Sequence, residues 1–238
     1  SEDDPKPVMA TLSLLVPNAA SAADPAPAPP SGHALGIGEA RAPERFTLEL
    51  RYLQAARDGD QKSLEFALAR GVAVDTRDDL GRSALLLATH DAGSLELVKL
   101  LHARGARIDE PDVGGRAPIS WAAADGRIEI LRWLAAEGAA IDRKDVEQRT
   151  PLFHAVSTEQ LEAVEFLLDH GANPNTPDHY GDTPLILACS KGYDALAELL
   201  LRRGADATLR NQEGKTAADR AAPGANMCRG AGALQTPR

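Results

Sequence analysis

Large rings, sulfur and positive charge are all scarce in this 238-residue chain: aromatics are 4% of residues, Cys and Met occur twice each, and Lys plus Arg (26) fall short of Asp plus Glu (35). With so few aromatics and so much Ala and Leu, thin and closely packed helices are what remain for building a core. The formal charge of -9 excludes a phosphate backbone as the main partner, because that requires clustered Lys and Arg, so no nucleic-acid role is expected. No apolar run approaches the roughly 20 residues that cross a bilayer, so no membrane insertion is expected. Two cysteines make no disulfide framework. Cys189 falls where other parts of the chain carry Ala56 and Ala123, which fits a small core residue better than a reactive thiol, and Cys228 lies in a Gly-rich tail with no visible partner.

What the chain has in abundance is repetition. Gly181, Asp182, Thr183, Pro184 and Leu185 open a stretch that continues through Gly192 to Leu199, Leu200, Leu201, Gly204 and Ala205. The order predicts a sharp turn, a short helix started by Thr183-Pro184, a second turn at Gly192 and a Leu-rich helix stopped at Gly204. Equivalent positions recur with differences of 33 (214 to 181, 181 to 148, 148 to 115) and once 34 (115 to 81). Such a unit cannot bury its own apolar face, so neighbours must cover it and the stack is the fold.

The ends differ from the middle. Residues 1-44 hold a short apolar run, Val8 to Val16, then Ala20-Ser21-Ala22 and a Pro/Ala-rich stretch. The run and the Ala-x-Ala ending read as a signal remnant cleaved before Ala23, followed by an extended linker. Glu2, Asp3 and Asp4 stand where a basic n-region belongs. The expected location is periplasmic or secreted, with cytoplasmic as the alternative. The repeat domain is expected over 45-222: an N-cap repeat 45-78, repeats 79-112, 113-145, 146-178 and 179-211, and a partial C-cap 212-222. In the cap, Leu50 and Arg51 replace the opening Thr-Pro. Pro223-Gly224 is expected to end the pattern before a second helix forms, leaving 223-238 a disordered tail.

The period, the Thr150-Pro151-Leu152 and Thr183-Pro184-Leu185 openings, and the closing Gly171-Ala172-Asn173 and Gly204-Ala205-Asp206 resemble the ankyrin repeat. The likeness covers roughly three quarters of the chain. It implies an all-α repeat fold: an ankyrin solenoid of stacked helix-turn-helix units joined by β-hairpin loops, with a concave face that binds other proteins. Gly71, Gly105, Gly138, Gly171 and Gly204 are expected to end second helices in a left-handed conformation. Asp78, Asp112, Asp145, Asp178 and Asn211 share one phase and are expected to hold the hairpin turns. Leu100-Leu101, Trp133-Leu134, Leu167-Leu168 and Leu199-Leu200 are expected to point between helix layers. The family's His after Thr-Pro-Leu is replaced by Leu86, Ser120, Phe153 and Ile186, so its side-chain bond to the turn is expected to be missing throughout. Gln148 and Glu159 stand where turn glycines belong, and one extra residue near Asp91-Ala92 lengthens a turn.

No catalytic or metal site is expected and no cofactor. Gly36-Ile37-Gly38 lacks the third glycine of a dinucleotide loop, and Gly214-Lys215-Thr216 lacks the first glycine of a phosphate loop. The six histidines fall at different repeat phases and will not converge on one metal. Binding residues are expected instead at the hairpin tips and first-helix ends: Asp79, Leu80, Arg82 and His90; Val113, Arg116 and Asp125; Val146, Glu147 and Arg149; His179, Tyr180, Asp182 and Lys191. Arg82, Arg116 and Arg149 share a phase. They form either a guanidinium ladder suited to an acidic partner or pairs with nearby Asp79, Asp112 or Glu147. Tyr180 is either an aromatic anchor or packed on the next hairpin. The expected function is a monomeric, non-catalytic scaffold for another protein. The resemblance to small periplasmic bacterial ankyrin proteins adds two narrower roles: support of an oxidative-stress enzyme such as catalase, or immunity against a toxic effector. An enzyme with a site in the groove would need convergent polar groups that the sequence does not provide.

Overall fold

The computed structural model describes residues 42-234. The signal remnant and most of the linker, like the last four residues, lie outside the described residues. The described chain forms α1 (Ala42–Asp58), α2 (Gln61–Ala69), α3 (Ala84–His90), α4 (Leu95–Ala103), α5 (Pro118–Ala124), α6 (Ile128–Ala136), α7 (Pro151–Ser157), α8 (Leu161–Asp169), α9 (Pro184–Lys191), α10 (Asp194–Arg202) and α11 (Asn226–Leu234).

Five helices, α2, α3, α4, α7 and α9, start where a short acceptor takes an otherwise unbonded amide. Ser83, Thr150 and Thr183 accept from Leu86, Phe153 and Ile186 N–H at 3.3 Å each, and Pro151 and Pro184 preset the first turn. Ala117 has no such acceptor, so α5 relies on Pro118 alone. The second helices end at Gly71, Gly105, Gly138, Gly171 and Gly204, with φ between 89° and 94°, as their spacing predicts. Gln148 and Glu159 hold φ of 61° and 60°, so both adopt the left-handed turn without the residue suited to it. The extra residue near Asp91 is accommodated between α3 and α4, where Gly93 turns left-handed.

First helices stack as α1 on α3, α3 on α5, α5 on α7 and α7 on α9, while α4, α6, α8 and α10 stack behind them. Leu101, Leu134, Leu167 and Leu200 are fully buried between these layers. Of their expected neighbours only Leu199 is buried: Leu100, Trp133 and Leu168 are half-buried, and Phe166, which stands 33 residues from both Trp133 and Leu199, takes the place expected of Leu168 at 6% exposure. At the N-terminal end Tyr52 is fully buried and its hydroxyl donates to Val74 O at 2.8 Å, with burial and then Asp75 raising its pKa.

The C-terminal end departs from expectation. Pro223-Gly224 turns the chain back instead of ending its structure, and α11 packs against α10. Cys228 meets Cys189 in a disulfide with Cα atoms 5.6 Å apart, and Ala222 N–H donates to Cys189 O at 3.0 Å. Neither the unpartnered cysteines nor the unstructured tail holds over 225-234. The physical reason is that α9 and α10 end the array with an apolar side that no further repeat covers. Ala225 and Cys228, 2% and 0% exposed, fill that side from beyond the last periodic residue.

Candidate protein-docking surface

Between α2 and α3, α4 and α5, α6 and α7, α8 and α9, and again after α10, the chain makes a hairpin with the same internal bonding. Asp78, Asp112, Asp145, Asp178 and Asn211 each use Oδ1 to accept from the amides two and four residues on, at 2.8 to 3.0 Å. This is the expected turn chemistry. The hairpins are also tied to each other. Val113 N–H donates to Leu80 O, Val146 to Gly114 O, His179 to Glu147 O and Gln212 to Tyr180 O, at 2.8 to 3.1 Å. At two of these contacts only a glycine fits. A Cβ on Gly115 or Gly181, both at positive φ, would stand 2.9 Å from the backbone nitrogen of Val146 or Gln212.

The side-chain bond to the turn, expected to be missing throughout, is present in part of the array. In two repeats it is supplied one residue later than the family pattern puts it. Trp121 Nε1–H donates to Asp112 Oδ2 at 3.0 Å, and His154 Nε2 meets Asp145 Oδ2 at 2.8 Å. In the first repeat Arg82 Nε–H donates to Asp78 Oδ2 at 2.8 Å. His154 is 2% exposed, and burial, followed by the charge of Arg116, lowers its pKa to about 4 against the opposing bond to Asp145. The imidazole is therefore neutral, and in its Nε2–H tautomer it donates to the carboxylate. The signal for both donors was present in the sequence, one position past the residue compared.

The three arginines line one side of the hairpins and are engaged within the protein. Arg82 pairs with Asp78 at 2.8 Å and lies 4.0 Å from Asp91. Arg116 lies over the Trp121 ring at 4.5 Å and 3.9 Å from Asp145. Arg149 faces Phe153 at 5.5 Å, Glu147 at 3.4 Å and Asp178 at 3.7 Å. Its Nε is buried with no hydrogen-bond partner, so the contact to Asp178 is an ion contact at longer range. The partners are mainly the Asp residues at the hairpin bases; of the three acids that the sequence suggested, only Glu147 takes part. His90 meets Asp125 at 2.5 Å and stacks on Trp121 with ring centroids 4.0 Å apart, which joins the ends of α3 and α5. Asp182 accepts from Asn211 at 2.7 Å, and Lys191 is exposed at the end of α9.

The tips themselves present apolar surface. Leu80, Val113, Val146 and Tyr180 are 53%, 68%, 66% and 56% exposed, one from each of four consecutive hairpins. Asp79, Glu147 and His179 stand exposed beside them, and the His179 ring meets Tyr180 edge-on at 5.4 Å. The predicted tip residues are thus brought into one row, with the predicted first-helix residues His90 and Asp125 on the groove side. A cleft of about 420 Å³ lies elsewhere, on the cap, where Phe66 is ringed by Arg51, Asp58, Asp60 and Lys62. Among the described residues no three His, Cys, Asp or Glu stand together as metal ligands, and no helix is long and apolar enough to cross a membrane.

Stacked helix pairs with projecting, mutually bonded hairpins define a class: a repeat scaffold that offers side chains on turns. Two segments, 53–145 and 138–211, match the family model described as Ankyrin repeats (3 copies), and the chain belongs to the ankyrin-repeat family. No curated protein matches it significantly. Ankyrin repeats generally mediate protein–protein interaction, and the family is typically a non-catalytic scaffold.

Proposed function

We propose that this chain is a non-catalytic scaffold that holds one macromolecular partner, a protein, through its hairpin tips and the groove beside them. The observation that carries this reading is the contrast between the tips and the groove arginines. Leu80, Val113, Val146 and Tyr180 are exposed and apolar, whereas Arg82, Arg116 and Arg149 are paired internally. Exposed apolar side chains on a rigid backbone lose little entropy when covered, so they favour docking. The test is recovery from the native host with the unaltered protein and with a variant carrying Leu80→Ser, Val113→Ser, Val146→Ser and Tyr180→Ser. Loss of a stoichiometric partner with an unchanged circular dichroism spectrum supports the reading, and full retention refutes it.

The compartment we propose is the bacterial periplasm or the exterior. The Cys189–Cys228 bond supports it, since such bonds persist in oxidising compartments and are rare in the cytosol. Alkylation of the protein in intact cells, before any reductant, tests this: two protected thiols fit export, and two labelled thiols place the protein in the cytoplasm. Within that compartment, support of an oxidative-stress enzyme such as catalase and neutralisation of a toxic effector both suit a tip-borne docking surface. The identity of the recovered partner separates them.

A further inference from the structure

We propose that the partner's contacting element is an amphipathic α-helix with a basic flank, laid along the row of hairpin tips. This rests on the scaffold reading above and adds the chemistry of what is bound.

The first observation excludes the commonest alternative, an added β-strand. A strand binds through unpaired main-chain groups at an edge. Here the tip amides are already used: Val113, Val146, His179 and Gln212 N–H donate to the preceding hairpin. The next amides, of Gly114, Glu147, Tyr180 and Glu213, donate to Asp or Asn at the hairpin base. From Val113 onward the tip amides are therefore engaged, which leaves an added strand no run of free donors along the row, and recognition falls to side chains.

Spacing then selects the element. Adjacent repeats are separated by about one helix-packing distance, roughly 8 to 10 Å. A helix returns a side chain to the same face after seven residues, a rise of about 10.5 Å. An extended strand returns one every ~7 Å and falls out of step within two repeats. Leu80 and Val113, joined directly through the Val113 N–H, suit a closer pair of apolar residues three or four apart.

Charge sets the flank. The two-residue tips are Asp79-Leu80, Val113-Gly114, Val146-Glu147, His179-Tyr180 and Gln212-Glu213: three carboxylates and no Lys or Arg, with Glu147 lying 3.4 Å from Arg149 and Glu213 3.3 Å from Arg220. Arg77, Lys144, Arg210 and Lys215 lie at the hairpin bases, where Arg77 pairs with Glu110 and Arg210 lies 3.8 Å from Asp219, and the three arginines Arg82, Arg116 and Arg149 are engaged on the groove side. A helix with Lys or Arg beside its apolar stripe complements the tips, and an acidic one is repelled.

The test uses two synthetic peptides of roughly 22 residues, long enough for three heptads, each with a Leu stripe at heptad spacing. One is flanked by Lys and the other by Glu, and both are titrated into the full chain by calorimetry. The expected result is saturable binding of the Lys peptide alone, weakened about tenfold between low salt and about 0.3 M salt. The variant with Leu80, Val113, Val146 and Tyr180 changed to Ser is expected to lose about tenfold or more. Changing Asp79→Asn, Glu147→Gln and Glu213→Gln is expected to cost several-fold and to flatten the salt dependence. Comparable binding of the Glu peptide, absence of binding by the Lys peptide, or unchanged affinity in the Ser variant overturns the proposal. If the native partner still depends on the tips in any of those cases, the scaffold reading stands and only the helix is rejected.

Discussion

Replacing Cys228 by Ser removes the one covalent tie between α11 and the last full repeat. The loop it closes spans 39 residues, and the chain-entropy expression for a loop of that length gives about 4 kcal/mol at 25 °C. If the array unfolded as one unit, a domain of this size would lose about 2 to 4 °C per kcal/mol, for a total of roughly 8 to 16 °C. Stacked repeats interact only with their neighbours, however, so the effect should concentrate at the C-terminal end. The expected melt of the variant, followed by circular dichroism, shows a new early phase. Hydrogen exchange quickens in α9 and α10 and stays unchanged in α3 and α5. Reductant added to the unaltered protein should reproduce the variant's melt and have no effect on the variant itself. Melts that superimpose within about 1 °C, with exchange in α9 and α10 unaltered, would refute the argument that α11 is held there by its sulfur bond.

Leu167→Ala truncates a fully buried side chain between α8 and its neighbours and is expected to cost about 2 to 5 kcal/mol, read as a lower midpoint in urea. Gln148→Gly relieves a left-handed backbone at φ 61° and should raise stability by about 1 kcal/mol, whereas Gly115→Ala should lower it because its Cβ meets the next hairpin's backbone. The His154 pKa lies at about 4 in the folded protein, below the ordinary value near 6.5 of an unfolded histidine, so the unfolded chain takes up the proton first. The stability that depends on its neutral form is complete above about pH 6.5 and falls by about 2 kcal/mol by pH 5, as urea titrations at the two pH values would show. His154→Gln should remove that share of the pH dependence; an unchanged slope would sink the assignment.

The repeat spacing made most of the fold legible because each hairpin is built from residues four or fewer apart. Asp145 fixes its own turn by bonds to Glu147 and Arg149, and Thr150 caps its own helix. Local bonds of this kind leave a local trace in the sequence. What could not be read were relations between units. Arg116 reaches Asp145 of the following hairpin and Arg149 reaches Asp178 as well as its own neighbour Glu147, so composition around each arginine points to Glu147 but not to the acids one repeat on. The disulfide joins a periodic position to one beyond the last repeat, where periodicity has nothing to say. Trp121 and His154 were hidden by a shift of one residue along a helix, which moves a side chain about 100° around the axis yet still lets a long ring reach the same carboxylate. The tip row was legible as residues, but its exposure was not, since an apolar residue on a turn can equally fold inward.

A single side-chain oxygen at each hairpin base, from Asp or in the last hairpin from Asn211, holds the amide of the second tip residue and the amide two residues beyond it, so the turn is bonded through the main chain of the tip residues. Their side chains can be exchanged without disturbing what keeps the repeat upright. Selection on whom the protein meets and selection on whether it survives heating therefore act on different atoms, so lineages carrying this architecture are free to change allegiance while keeping their frame.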